Sequence, residues 1–386
     1  MNRPLRIGFL PFYVDYYESL SPDFGPRKLE EISQARRALQ AFGEVIGGER
    51  PLADPDAAAA AGRALREADV DCVVALCVIA VFSEVSDAAI RECEAPLLLW
   101  HRQQIETVDP SYSMVEIVRN TGQIGVQALA NVLARRGRPF DVLCASHRSG
   151  AGEQGLSSFF AVVRASRALR GACVLQIGDP FPQMSDISLP PAHREVLGLR
   201  VNRKSADDIT AAYLAVDAAA VEAETELMRE TWSIGEITAE ELSRSARLAL
   251  AVDGFTGEMP CTCATINSHG TNCLRNPAIG LTATYAISRL HAGGIPCSEV
   301  GDIPTALALR LGCELAGDAL YTEVQILDEK RGAIVLANSG EAADGLRSAH
   351  APVVLAGNAN FRGLHGRGAS FAYPLAAGPA TVLSLT

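Results

Sequence analysis

The stretch VDCVVALCVIAVF, residues 70–82, is the longest apolar run in the chain and contains a single charged residue, Asp71. Shorter strand-like runs flank it: RIGFL (6–10), PLLLW (96–100) and DVLCA (141–145). Helical patterns lie between the four runs. Continuous apolar strands that alternate with amphipathic helices are typical of a parallel sheet covered on both faces. We therefore predict a doubly wound α/β domain over residues 1–150.

The same alternation begins again after residue 150. The strand-like runs CVLQIG (173–178) and CTCATI (261–266) are separated by two long alanine-rich helical patterns, and GIPC ends a further strand before residue 298. We expect a second doubly wound α/β domain over residues 151–318.

After this domain the hydrophobic residues follow the alternating pattern of strands rather than the pattern of helices. YTEVQILD (321–328) and AIVLANSG (333–340) alternate around the turn EKRG, and the rest is rich in glycine and proline. Short alternating strands around turns are typical of all-β structure. A small all-β domain is therefore predicted for residues 319–386, which completes a three-part α/β architecture.

Composition narrows the functional class. The chain has 386 residues, of which 48% are hydrophobic, and a formal net charge of −11. An acidic chain lacks the basic face that nucleic acids or anionic membranes require, so neither partner is expected. The run 70–82 is too short to span a bilayer, and MNRPLRIGFLPF has no signal-peptide core. We expect a cytoplasmic protein whose ten cysteines are reduced.

The segment CSEVGDIPTAL, residues 297–307, is the first candidate for chemistry. Glu299 and Asp302 follow a strand, where the ligands of open α/β sheets bind. Two carboxylates at this spacing could face one cavity and hold a divalent cation. Alternatively, Asp302 caps the helix that begins at Pro304, and Glu299 is solvated.

Other polar side chains are candidates for the same cavity. Glu323 and Gln325 share one face of a predicted strand, pointing either into a cleft or into solvent. The loop FRGLHGRGASF carries His365 and Arg367, which are either exposed or part of the site. The candidates for holding a hydroxylated ligand are Trp100, Gln103, Asn272 and Asn338, with Trp100 equally suited to a core.

Several motifs resemble the L-fucose and L-arabinose isomerase family. WHRQQIETVDP is followed by Asn120, Gly122 and Gly125 in an Asn-x-Gly-x-x-Gly helix, and then by Arg-Arg-Gly at 135–137. AVFSEVSDAAI, IGDPFPQMSD, the segment from NSHGTNCLRNP to CELAGD, and GPATVLSL also resemble family segments, in the family's order over most of the chain.

The resemblance implies a metal-dependent ketol isomerase that forms a trimer or hexamer. It implies two α/β domains, a C-terminal β domain, and Mn²⁺ bound by two acidic residues and a histidine. By position, Asp302, Glu299 and His365 would be the metal ligands. Glu299 or Glu323 would move the proton between C1 and C2 through a cis-enediolate, with Asp302 in the catalytic centre.

The chain departs from the family at two places. The first family glutamate has no clear counterpart, since Asn272, Arg275 and Asn276 occupy its neighbourhood, and Glu258 or Glu323 could substitute. The strand end where relatives often carry a histidine reads Asn338-Ser339-Gly340. Two alternatives therefore stay open. One is a metal-dependent epimerase or decarboxylase of a sugar acid, which Arg275 or Arg367 would favour. The other is a sugar-binding protein without catalysis.

Overall fold

The computed structural model describes residues 3–358 and 368–385. Its internal contacts divide the chain into two compact units, Met1–Arg167 and Ala168–Thr386. Within the described ranges, no helix combines the length and the apolar composition that a membrane span needs.

The first unit alternates strands and helices, as predicted. Its strands are β1 (Leu5–Phe12), β2 (Gly43–Ile46), β3 (Cys72–Cys77), β4 (Leu97–Gln103) and β5 (Asp141–Ser146). Its helices are α1 (Phe24–Gln40), α2 (Pro55–Glu67), α3 (Ser83–Ile90), α4 (Met114–Arg119), α5 (Gly122–Arg135) and α6 (Gly150–Leu169), with a 3-10 turn at Asp15–Leu20.

All strand pairs of the first sheet are parallel, in the order β2-β1-β3-β4-β5. This is a doubly wound order, which confirms the predicted α/β fold. β3 is buried at every position because it lies at the centre of the sheet. The predicted boundary at residue 150 falls at the start of α6. Phe160 and Val163 of that helix pack into the first core, so the contact boundary lies later, after Arg167.

The second unit contains the remaining elements. Its strands are β6 (Cys173–Ile177), β7 (Arg200–Lys204), β8 (Ser233–Ile234), β9 (Cys263–Ile266), β10 (Cys297–Glu299), β11 (Glu323–Asp328), β12 (Ala333–Ala337), β13 (Val354–Gly357) and β14 (Ala369–Ala372). Its helices are α7 (Pro191–Leu197), α8 (Ala206–Ala215), α9 (Ala218–Thr231), α10 (Ala239–Glu258), α11 (Thr284–Ala292) and α12 (Ile303–Ala316), with a 3-10 turn at Asp344–Leu346.

Four of these strands form a second parallel sheet in the order β10-β9-β6-β7. Side chains alternate between its two faces. Leu175 and Ile266 point into a core built with α10 and α11. Val174 and Cys263 point into a separate core that contains the first turns of α12. The second sheet is therefore covered by helices on both faces, as the sequence predicts.

The predicted C-terminal all-β domain is not confirmed. β11 and β12 form a two-stranded antiparallel hairpin. β13 pairs with β14 and also with β8, which comes from the preceding α/β region. Leu355 of β13 and Ala369 of β14 lie in the same core as α10 and α11. The last strands therefore extend the second unit, because their apolar faces are buried against its helices.

Candidate functional site

The second sheet has a topological switch point between β6 and β9. From β6 the chain continues to β7 on one side, whereas from β9 it continues to β10 on the other. In open α/β sheets ligands bind beyond the carboxyl ends of the strands at such a point. Ile177, Ile266 and Glu299 are register partners at these ends, so Glu299 lies level with the switch point.

The first candidate pair is His269 with Glu299. His269 lies in the loop after β9, which Asn267 holds by donating to the carbonyl of Asp179 (2.8 Å) and accepting from the N–H of Gly270 (3.1 Å). Nε2 of His269 lies 2.8 Å from Oε2 of Glu299, a side chain only 2% exposed.

Burial alone would lower the pKa of His269, since it disfavours the imidazolium ion. The hydrogen bond to Glu299 and the negative charges of Glu299 and Glu323 outweigh burial, so the pKa of His269 is raised. His269 is therefore protonated more readily than a free imidazole, directly beside the buried Glu299.

The second buried carboxyl group is Glu341, in the loop Asn338–Ser339–Gly340–Glu341 after β12. Its Oε2 accepts the N–H of Ser339 (3.0 Å), and the N–H of the following Ala342 donates to Oγ of Ser288 on α11 (2.9 Å). Gly340 has φ +104°, and a Cβ there would lie 2.6 Å from Cβ of Ser370. Only glycine at position 340 fits this backbone conformation and close approach, and the loop that it forms buries Glu341.

Glu341 and Glu299 form a coupled pair. The side chains are 5% and 2% exposed, and Oε1 of each is a buried oxygen without a hydrogen-bond partner among the described residues. Burial and the negative charge of Glu299 raise the pKa of Glu341 well above its usual value. The protonated form of Glu341 is favoured beside Glu299, because two ionised carboxylates at close range repel each other.

Tyr321 and Glu323 extend the cluster towards the surface. The hydroxyl of Tyr321 donates to Oε1 of Glu323 (2.7 Å) at the start of β11. Burial, this hydrogen bond and the charges of Glu323, Glu299 and Glu341 raise the pKa of Tyr321. The predicted catalytic residue Glu323 is itself exposed, so it borders the pair rather than belonging to the buried part.

The turn after β10 is strained. Val300 has φ +59°, which is rare for a β-branched residue. Its carbonyl accepts the N–H of Phe181 (2.8 Å), and a Cβ on the next residue, Gly301, would lie 2.6 Å from Cα of Pro180. The turn is therefore held against the loop that follows β6. Strain of this kind concentrates at functional sites, and here it immediately follows Glu299.

The side chain of Asp302 is bound at the start of α12. Oδ1 of Asp302 accepts the N–H of Thr305 (2.8 Å) and Oδ2 accepts its hydroxyl (2.6 Å), so Asp302 is the N-cap of α12. Glu299 shares its sheet face with Cys297, which lies in the α10–α11 core, whereas α12 packs on the opposite face. Burial raises the pKa of Asp302, as does the charge of Asp186.

The predicted substrate-binding amides have local partners. Asn272 is buried against Gly178, whose φ is +79° and whose missing Cβ would lie 2.1 Å from the amide. Asn338 donates to the carbonyl of Glu341 (3.2 Å) and accepts the N–H of Gly340 (3.0 Å), so it shapes the Glu341 loop. Arg275, in contrast, is exposed.

Trp100 and Gln103 lie in the first unit. Trp100 is 3% exposed and packs in the core of that unit. The amide of Gln103 donates to the carbonyl of Ile105 (2.6 Å). Of the two roles that the sequence allows for Trp100, its position is that of a core residue.

The first sheet also carries buried charge at its switch point. Nζ of Lys28 donates to Glu31 (2.8 Å) and to the carbonyls of Val78 (2.7 Å) and Arg119 (2.5 Å), which satisfies all three of its protons. His101 is 1% exposed, and burial lowers its pKa to about 4. Lys28 has no proton left for a ligand, so the second unit offers the better candidate site.

Three further residues could hold a metal ion. One ligand atom each from His291, Cys313 and Asp318 lies within 4.8 Å of the others. The structure therefore contains a possible metal-binding triad, away from the predicted ligands Asp302 and Glu299. The predicted ligand His365 and the predicted substrate-binding residue Arg367 lie outside the described residues.

The sequence analysis includes Glu299 and Glu323 among the candidates, but not Glu341 or Tyr321. His269 was noticeable as a histidine among asparagines after a strand. Glu341 follows Ser-Gly, a sequence typical of an exposed turn. Its burial depends on contacts of its loop with Ser288 and Ser370, which no local pattern contains.

Comparison with protein families finds no family model that matches the chain. Comparison with curated proteins finds none that is significantly similar. A function must therefore be argued from the geometry of the site and from the motifs of the sequence.

Proposed function

We propose that the chain is an enzyme that transfers a proton between neighbouring carbons of a small hydroxylated carbonyl compound, in the manner of an aldose–ketose isomerase. One observation carries the proposal: Glu299 and Glu341 form a buried carboxyl pair beside His269, at the carboxyl end of the edge strand β10 and next to the switch point of the second sheet. The geometry supports proton transfer, and the sequence resemblance supplies the substrate class.

The pair provides an acid and a base in one place. Glu299 accepts from Nε2–H of His269, an arrangement that suits a carboxylate. Burial and the charge of Glu299 raise the pKa of Glu341, which favours its protonated form. Neighbouring titratable groups with different protonation states are a recurring basis for acid–base catalysis near neutral pH.

The proposed reaction uses the two groups in sequence. The Glu299 carboxylate takes the proton from the carbon next to the substrate carbonyl, and the Glu341 carboxyl gives its proton to the carbonyl oxygen. The resulting enediol collapses when Glu299 gives the proton to the other carbon and the ionised Glu341 takes the proton from the other oxygen, which becomes the new carbonyl and restores both groups. His269 orients Glu299, and Tyr321 with Glu323 lies at the edge where a hydroxylated substrate would enter.

A divalent cation such as Mn²⁺ fits part of this arrangement. The partnerless oxygens of Glu299 and Glu341 suit a hard cation, which commonly uses one or two carboxylates together with water or substrate oxygens. Glu341 would then replace Asp302 in the ligand set that the resemblance implies. When bound, the ion would supply Lewis-acid polarisation of the substrate carbonyl.

We also propose that the chain associates with copies of itself through the β11–β12 hairpin. Six apolar side chains of this hairpin are 40–67% exposed: Val324, Ile326, Leu327, Ile334, Val335 and Leu336. An isolated two-stranded hairpin is marginally stable in water, and apolar patches of this kind mark protein interfaces. A second copy that covers the hairpin would also enclose Glu323 and the edge of the site.

The proposed reaction is tested by exchange of the carbon-bound proton. The protein is incubated in D₂O with a panel of aldoses and ketoses, with and without Mn²⁺, and exchange at C1 and C2 is followed by proton NMR. The expected result is exchange with interconversion. Glu299→Gln and Glu341→Gln should each reduce the rate by at least about 100-fold, whereas Glu329→Gln at the exposed hairpin turn should not change it.

Other outcomes would redirect the proposal. Exchange that is undiminished in both variants would show that the carboxyl pair does not transfer the proton. Sugar binding without exchange, observed by calorimetry, would favour the non-catalytic alternative. Loss of carbon dioxide from a sugar acid would favour the decarboxylase.

A further inference from the structure

His291, Cys313 and Asp318 come together at the edge of the second sheet opposite to Glu299. His291 is in the last turn of α11, which leads into β10, and Cys313 is in the last turn of α12, which follows β10. Because both helices run antiparallel to the strand between them, their carboxyl ends lie at its amino end. The triad is therefore remote from the candidate catalytic pair along the strand direction.

We propose that this triad binds a late first-row divalent cation, with Zn²⁺ as the preferred ion. Imidazole, thiolate and carboxylate are the three ligand types that zinc uses in proteins. The ligand atoms lie within 4.8 Å of one another, and Nε2 of His291 is 2.6 Å from Oδ1 of Asp318. Zinc bonds of about 2.0–2.3 Å place tetrahedral ligand atoms about 3.3–3.8 Å apart, so a small outward shift of the His–Asp contact would admit the ion.

The carboxylate of Asp318 is fixed in its orientation. Oδ1 accepts the N–H of Ala319 (2.8 Å), and Oδ2 accepts the N–H of Gly345 (2.7 Å). A Cβ at Gly345 would lie 2.7 Å from Oδ2, so only glycine allows this approach. Outer hydrogen bonds of this kind orient metal ligands and leave lone pairs for the ion.

The turn that joins Cys313 to Asp318 is also specified by the sequence. Gly317 has φ +88° and donates its N–H to the carbonyl of Cys313 (3.0 Å), a left-handed helix C-cap. The cap reverses the chain so that Asp318 returns towards the last turn of α12. At the other side, the side chain of His291 is 10% exposed and that of Asp318 is 17% exposed, so both are held in place.

The alternative is an ordinary His–Asp ion pair with a cysteine nearby. Burial and the negative charge of Asp318 raise the pKa of the Cys313 thiol, so without an ion it is protonated at neutral pH. Zinc binding would displace that proton and leave a fourth position for water. The triad joins the ends of two helices and the turn at Gly345. The bound ion would therefore stabilise the second unit against unfolding.

Cobalt(II) titration of the metal-free full chain tests the proposal. One equivalent should give the d–d bands of tetrahedral cobalt and a thiolate-to-cobalt charge-transfer band, and Zn²⁺ should displace both. Cys313→Ser should abolish the charge-transfer band, and His291→Gln and Asp318→Asn should each weaken binding by about 10- to 100-fold. Cys261→Ser, a cysteine of similar half-buried environment, should change nothing.

Thermal unfolding gives a second measurement of metal binding, which is needed if a variant is unstable. Zn²⁺ should raise the melting temperature of the wild-type chain and of Cys261→Ser, but not that of Cys313→Ser. Absence of a charge-transfer band in the wild type, or its persistence in Cys313→Ser, would overturn the proposal. Glu299→Gln should retain the cobalt spectrum, which separates this site from the proposed catalytic pair.

Discussion

The negative charge of Glu299 raises the pKa of Glu341, although Glu299 ends a parallel strand and Glu341 follows an antiparallel hairpin strand. Both carboxyls are buried, and the hydrogen bond from His269 reaches only Glu299 among the contacts described for the pair. The pair therefore combines a carboxyl group oriented by His269 with a second carboxyl group whose pKa is raised. The effect of these groups on the stability of the protein can therefore be measured without knowledge of the substrate.

Glu341→Gln should stabilise the protein at alkaline pH and change its stability little in acid. The pKa of Glu341 is raised in the folded state, so its contribution is fully present below the unfolded pKa of about 4.3 and is lost as the pH rises through the folded value. Glutamine does not titrate. Urea unfolding at a series of pH values from about 5 to about 8.5 should show the free-energy difference growing by up to about 1.4 kcal/mol for each pH unit. The exposed Glu329→Gln serves as the control, and a difference independent of pH would contradict the coupling.

His269→Ala should destabilise the second unit by about 3 kcal/mol, because it leaves the buried Glu299 without its cationic partner. Glu299→Gln in the same background should recover part of this loss, since it removes the unpaired charge. Chemical unfolding of both single variants and the double variant gives the interaction free energy. Strictly additive effects would show that the two side chains do not stabilise each other.

Gly178→Ala should be much more disruptive than Gly171→Ala. Both glycines have positive φ, +79° and +66°, so both substitutions carry the same kind of backbone strain. Only at Gly178 would the new Cβ collide with a side chain, Asn272, at 2.1 Å, whereas nothing lies within 4 Å of the position at Gly171. We expect the free energy of unfolding to fall by about 1 kcal/mol for Gly171→Ala and by several kcal/mol for Gly178→Ala. Equal melting temperatures of the two variants would contradict this role of Asn272.

Ile326→Asp and Val335→Asp should reduce self-association of the chain. Both side chains are exposed on the β11–β12 hairpin, at 61% and 47%, and a charge there opposes burial between copies. Light scattering across a concentration series measures the effect. Val196→Asp on α7 is the matched control, since that side chain is 84% exposed outside the hairpin. A wild-type chain that stays monomeric at every concentration would disprove the hairpin interface.

The fold was predictable where burial follows a simple period. CVVAL and CVLQI are continuous apolar runs, and both are central parallel strands. The strand Arg200–Lys204 escaped prediction because RVNRK is largely polar and lies at the edge of its sheet. The alternation of the sequence located β11 and β12, but not β13 and β14. Their packing against α10 and α11 depends on long-range contacts that periodicity does not encode.

The site was predictable only in part, for a similar reason. Glu299 stood out because it ends a strand of a recognisable α/β pattern. The cap role of Asp302 was visible in Asp-Ile-Pro-Thr, but spacing alone did not show which face of the sheet Glu299 occupies. That face follows from the pairing of β10 with β9, which fixes the direction of Glu299.

The division of the chain at Arg167 has a consequence for synthesis on the ribosome. Each compact unit is one uninterrupted segment, and the five strands of the first sheet all precede the boundary. Domains fold as units, and the amino-terminal one is available first. All strands of the first sheet are therefore synthesised before the second sheet begins. The first unit can reach its native strand pairing co-translationally, while the residues that build the candidate site are still being translated.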